Sequence, residues 1–134
     1  WELFKVVFGP EGGALKPWEA GEWLAEPAHQ IYAARPGDSP WDLCFFLNEL
    51  SDGTWKFGRN HAITRPPGEI VIRTSNGIPI MSPEIQLAYK AKQHQPRDEH
   101  DFERAHERLT PAQRVWLRET LQLCHPGDPW INRL

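Results

Sequence analysis

The residues best suited to chemistry lie in the run SPEIQLAYKAKQHQPRDEHDFER, Ser82 to Arg104. It carries Lys90 and Lys92 one residue apart, followed by Asp98 and Asp101. Ammonium groups beside a helix end can hold a phosphate, and the same groups against carboxylates make a salt-bridged corner. On a helix Lys90 and Lys92 point about 200° apart, so at most one of them faces a given phosphate. Lys92 follows Tyr89 by three residues and Ala88 by four. That spacing lays its stem on the apolar face and brings its ammonium to Asp98 or Asp101. Lys90 and Lys92 are therefore candidate phosphate ligands, and Asp98 and Asp101 the carboxylates of the corner.

Arg73 is a further candidate phosphate ligand. It belongs to a basic stretch of Lys56, Arg59, Arg65, Arg73, Lys90, Lys92 and Arg97, interrupted only by the acids Glu69 and Glu84. Gathered on one side by the fold, these cations form a local anion site. Spread out, they are solvated charge that discourages strand edges from pairing.

The elements that must position these groups read as strands first and helices last. Trp1 to Phe8 is an apolar strand, Gln30 to Ala34 a second and Trp41 to Asn48 a third, with Ser51-Asp52-Gly53 turning it into a fourth at Thr54 to Gly58. Residues 9–27 read as a loop with a short helical turn at Trp18 to Leu24, and Gly12-Gly13 is part of that loop. Glu69 to Thr74 and Ile78 to Met81 flank Ser75-Asn76-Gly77, a strong hairpin signal. Three helices follow, at Pro83 to Gln93, Asp98 to Arg108 and Pro111 to Leu123. Ser82 is the expected cap of the first and Asp98 of the second. Thr110 with Gln113 forms a capping box for the third, whose buried stripe is Leu117, Leu121 and Cys124. The expected fold is a single α+β domain: a mixed or largely antiparallel twisted sheet packed on a C-terminal three-helix cluster.

Composition removes several function classes. A net charge of −3 argues against general binding to nucleic acid or an anionic membrane. No apolar run has transmembrane length. Cys44 and Cys124 lack the spacing of a zinc site or disulfide framework and read as two buried thiols of a cytoplasmic protein. His94, His100 and His106 recur every six residues, which does not gather them on one helix face, so no metal site is assigned. His125, before Pro126, reads as a helix-ending residue that favours the carbonyl end. No nucleophile elbow or Walker loop is present.

The Ser82 to Phe102 block, together with LTPAQRVWL and the ending HPGDPW, resembles the C-terminal part of bacterial proteins of the minor nucleotidyltransferase fold, relatives of aminoglycoside and lincosamide nucleotidyltransferases. The resemblance runs from WELF at the start to Pro129 and Trp130. It implies that a parent protein transfers a nucleoside monophosphate from a nucleoside triphosphate, with Mg²⁺, to a hydroxyl of a small-molecule acceptor. In that family a Gly-Gly or Gly-Ser turn and an Asp-x-Asp pair precede the point where this chain begins, and no Asp-x-Asp occurs here. The chain is thus expected to be the C-terminal portion of a longer protein and inactive alone. The resemblance also implies a third carboxylate from the third strand. Asp42 and Cys44 share one face of it, some relatives carry an acid where this chain has Cys44, and Asp42 lies roughly 6 to 7 Å along the same face. Asp42 is the candidate catalytic residue, or else a solvated strand-start aspartate. The competing reading is a non-catalytic binding or interaction module that keeps the fold without the metal-binding carboxylates.

Overall fold

Apolar residues on both faces of the first segment need cover on both sides, and neighbouring strands supply part of it. In the computed structural model, which describes residues 1–9, 12–23, 30–37, 42–48 and 50–134, this segment is β1, Glu2–Gly9. With β2 (Gly12–Pro17), β3 (Gln30–Ala34) and β4 (Leu43–Phe46) it forms a sheet of order β2-β1-β3-β4, antiparallel throughout. The expected loop at Gly12-Gly13 is instead the start of β2, with Gly13 opposite Phe8. A backbone ladder with β1 outweighs the low strand preference of glycine. The expected helical turn after Trp18 is one hydrogen-bonded turn, Glu22 N–H to the Glu19 carbonyl at 3.0 Å. Leu24, like Trp41 and Glu49, lies outside the described residues. This sheet belongs to one compact unit, Trp1–Asn48; Glu49–Leu134 is a second.

In the second unit β5 (Leu50–Ser51), β6 (Thr54–Phe57) and β7 (Asn60–Arg65) form an antiparallel meander. Asp52 and Gly53 adopt φ of 53° and 71°, the paired positive values that a tight hairpin turn requires. The sequence reading did not anticipate β7, because Gly58-Arg59 lacks a hairpin dipeptide and the ladder shifts register between Lys56 and Phe57. β8 (Val71–Arg73) and β9 (Pro79–Met81) are the expected Asn-Gly hairpin, with Gly77 at φ 79°. α1 (Pro83–Lys90), α2 (Pro96–His106) and α3 (Pro111–Cys124) follow, and a 3-10 turn at Pro129–Arg133 comes after them. The α+β class holds, with antiparallel sheets and three helices in the C-terminal part. The helices share a core with the small β5-β6-β7 sheet of their own unit: Trp55 and Phe57 are fully buried with Ile85, Phe102, Leu117, Leu121 and Trp130.

The helix starts correct two expectations. Ser82 makes no side-chain bond to the first-turn amides; its hydroxyl donates to Glu84 Oε2 at 2.6 Å. α2 begins at Pro96 with Gln95 as its cap, and Asp98 is the third helical residue, whose carboxylate reaches back to Gln95 N. Proline at the first helical position sets the start two residues early. The Thr110–Gln113 capping box is as expected. Of the two thiols, Cys44 is exposed on β4 and Cys124 half-buried, so the reading of two buried thiols fails.

One buried ion pair ties these elements together. Glu84, 1 % exposed, accepts from Arg65 Nη1 at 2.5 Å and from Ser82. The Ser82 hydroxyl in turn accepts from Gln113 Nε2 at 3.2 Å. The Arg65 guanidinium also lies 4.2 Å over the Trp116 ring. β7, the start of α1 and the start of α3 are thereby joined through one carboxylate. Removing one partner strands a buried charge, so Glu84→Ala should lower the unfolding free energy in urea by about 3 to 5 kcal/mol. Glu84→Ala combined with Arg65→Leu should recover part of that loss, and strictly additive losses would show that the two groups are not coupled.

Candidate functional site

The structure assembles a charged corner where α1 ends and α2 begins, and it uses Lys90. Lys90 is the last residue of α1; Ala91 is the buried C-cap, and Lys92 stands exposed beyond it. Lys90 Nζ lies 2.7 Å from Asp98 Oδ1 and 2.9 Å from Asp101 Oδ2. The expected pairing of Lys92 with these aspartates is therefore corrected to Lys90. The reason is helix length: α1 stops at residue 90, so the helical spacing that would have laid the Lys92 stem on the core no longer applies. Asp98 and Asp101 are one turn apart on α2, which is why one ammonium reaches both.

Electrostatics within the corner are mutually reinforcing. The Lys90 hydrogen bond, then the Gln95 backbone, hold the Asp98 carboxyl below its usual range against a smaller opposing effect of burial. The bonds to Asp98 and Asp101 raise the Lys90 ammonium above its usual range. Asp98 thus contributes stability that is present above the ordinary carboxylate range and lost as pH falls through its depressed value. Lys90 contributes stability that is lost only as pH rises through its elevated value.

The other basic residues find partners close to home. Arg73 Nη1 donates to the Gly77 carbonyl at 2.8 Å, closing the loop of its own hairpin. Arg59 Nη2 donates to the Tyr89 carbonyl at 2.6 Å, at the end of α1, with its guanidinium 5.7 Å from the Tyr89 ring centre. Arg65 is consumed by Glu84. Cations that each satisfy a carbonyl or carboxylate on a neighbouring element do not gather as one anion site.

Asp42, just before β4 in the first unit, meets Arg35. The Arg35 backbone N–H donates to Oδ2 at 3.2 Å and Nη2 to Oδ1 at 3.0 Å. These bonds, the side-chain one foremost, hold the Asp42 carboxyl below its usual range. It is a poor proton acceptor, and no other acid joins it: among the described residues no group of three or more His, Cys, Asp or Glu side chains could hold a metal ion.

Sequence reasoning missed a second polar assembly, around the 3-10 turn at Pro129–Arg133. Asp128, 8 % exposed, caps that turn through Oδ1 on Trp130 N at 2.8 Å and receives His94 Nε2 on Oδ2 at 2.7 Å. The buried Trp130 indole donates to Glu99 Oε2 at 2.7 Å and stacks 4.4 Å from Phe102, while Arg133 pairs with Glu99 and covers the other ring. The Asp-Pro pair after Gly127 was the available signal, an N-cap followed by proline at the first helical position.

Lys90→Ala should lower stability by about 1 kcal/mol, a value limited by the exposure of Lys90 and Asp101, whereas Lys92→Ala should leave urea unfolding almost unchanged. Asp98→Ala should cost more than Lys90→Ala, because it also removes the bond that caps α2. An equal loss for the two lysine variants would overturn the assignment of the corner to Lys90. Comparison of the chain with known protein families, with curated proteins and with solved structures found no match, so the functional argument rests on its residue pattern and geometry.

Proposed function

We propose that this chain is part of a cytoplasmic protein of the nucleotidyltransferase superfamily, whose parent transfers a nucleoside monophosphate from a nucleoside triphosphate to a hydroxyl of a small molecule. The observation that carries the reading is the residue pattern of Ser82 to Phe102 with the LTPAQR and HPGDPW segments. An α+β arrangement with three helices in the C-terminal part is compatible with it. Among the described residues no helix is long and apolar enough to cross a membrane.

The metal in this proposal rests on the resemblance. Asp42 fits a divalent cation poorly, because its oxygens already face Arg35. The Mg²⁺ carboxylates would have to come from outside the described residues. The part this chain plays is then to supply a folded support, in which Lys90 braces the α1–α2 corner. Lys92, exposed beside it, is the lysine left to meet a phosphate.

A second reading, a binding or interaction module without catalysis, is favoured by the same engagement of Asp42, Arg73 and Lys90 with partners inside the chain. Activity separates the two. The 134-residue chain should show no transfer of labelled nucleotide with Mg²⁺ and any acceptor, and turnover would overturn the placement of the missing carboxylates. The longer reading frame should encode a Gly-Gly or Gly-Ser turn with Asp-x-Asp and should transfer nucleotide. In that longer protein, loss of a phosphate contact in Lys92→Ala should weaken nucleotide affinity roughly tenfold to a hundredfold while leaving the melting temperature unchanged. A frame lacking the acidic pair, with no nucleotide binding, establishes the module.

A further inference from the structure

We propose that the segment Asp128–Arg133 is a pH-sensitive latch, closed at neutral pH and released when His125 takes up a proton. Asp128 is the hinge of the argument, because it holds the segment in two ways: Oδ1 starts the 3-10 turn on Trp130 N, and Oδ2 ties that turn to His94 in the α1–α2 connection. His125 stands directly upstream. Its backbone ends α3, donating to the Leu121 carbonyl at 2.7 Å, and its own carbonyl accepts from Asp128 N at 3.0 Å. Gly127 makes the reversal between them at φ 93°.

The side chain of His125 has no such support. Its Nε2 is buried and has no hydrogen-bond partner among the described residues. The charged groups around it are mostly cationic: Arg59 from the β6–β7 turn, Lys92 from beyond α1, and His94, with Asp128 as the opposing acid. Arg59 also interacts with Tyr89 and with Cys124, at the end of α3. A proton on Nε2 would be a buried charge facing a guanidinium and an ammonium, with its carboxylate neighbour already engaged by His94. Burial first, and Arg59 next, push the His125 imidazolium below the ordinary histidine range.

The sign follows from linkage. An opened segment lets His125 take a proton as pH falls through about 6.5, whereas the closed segment resists it, so closure is favoured above that value and weakened below it. The relief available to a protonated His125 is to swing out to water, and that breaks the His125–Asp128 turn on which the Trp130 cap depends.

Hydrogen exchange of the Trp130 and Ile131 amides, corrected for the intrinsic pH dependence, tests this on the 134-residue chain. Protection of these amides should fall about tenfold between pH 7.5 and 5, while that of Leu117 to Leu121 in α3 stays constant. His125→Gln, which cannot take the proton, should abolish the acid response. Lys92→Gln, at an exposed position, should reduce it by removing one repelling charge. Equal protection at both pH values in the unmodified chain, or an undiminished acid response in His125→Gln, overturns the proposal. Should His125→Gln fail to fold, an acid response in Lys92→Gln identical to that of the unmodified chain overturns it instead.

Discussion

The second unit is organised around a carboxylate that water does not reach. Glu84 stands in the first turn of α1, where the helix dipole favours an acid, but that benefit is small beside the desolvation of a charge that is 1 % exposed. The Arg65 guanidinium from β7 supplies the opposite charge, and Ser82 satisfies the second oxygen. Gln113 links this pair to the capping box of α3. A buried ion pair of this kind is weak evidence for added stability, since apolar residues of equal volume often do as well. Its effect here is on arrangement: only one register of β7 against the starts of α1 and α3 leaves every one of these polar atoms bonded. The same pairing explains why Arg65 is unavailable to a ligand.

That principle of local satisfaction extends to the other charges. Arg59 and Lys90 sit where α1 ends, one on a carbonyl and one on the acids that open α2. Glu99 takes the Trp130 indole and Arg133. A chain with many tryptophans must place each buried indole N–H on an acceptor, and Trp130 shows how that need draws an acidic helix start towards the last 3-10 turn. The charged residues that look like ligand groups along the sequence are, in the second unit, largely the means by which short elements are joined.

The periodic and capping signals of the helical half were legible in the residues themselves. Pro83, Pro111 and the Thr110–Gln113 pair set helix starts through geometry confined to one turn, and Asn76-Gly77 set a hairpin through the positive φ that glycine tolerates. So did the overall class, because alternating apolar residues and a 3.6-residue stripe each describe only a few neighbours along the chain. Proline at position 96 was equally visible, and it places Asp98 inside α2 where a cap had been expected.

What only the tertiary structure decided is which distant residues meet. β2 and β7 exist because β1 and β6 offer them a ladder, not because of their own propensity. The choice of Lys90 over Lys92 turned on where α1 stops, and a shift of two residues there rotates a side chain to the far side of the helix. Asp42 facing Arg35, and His94 facing Asp128, join residues across separate elements. Sequence determined the local conformations, since those depend on torsions and bonds within a turn. The identity of each charge's partner depended on long-range packing, which no single window of residues contains.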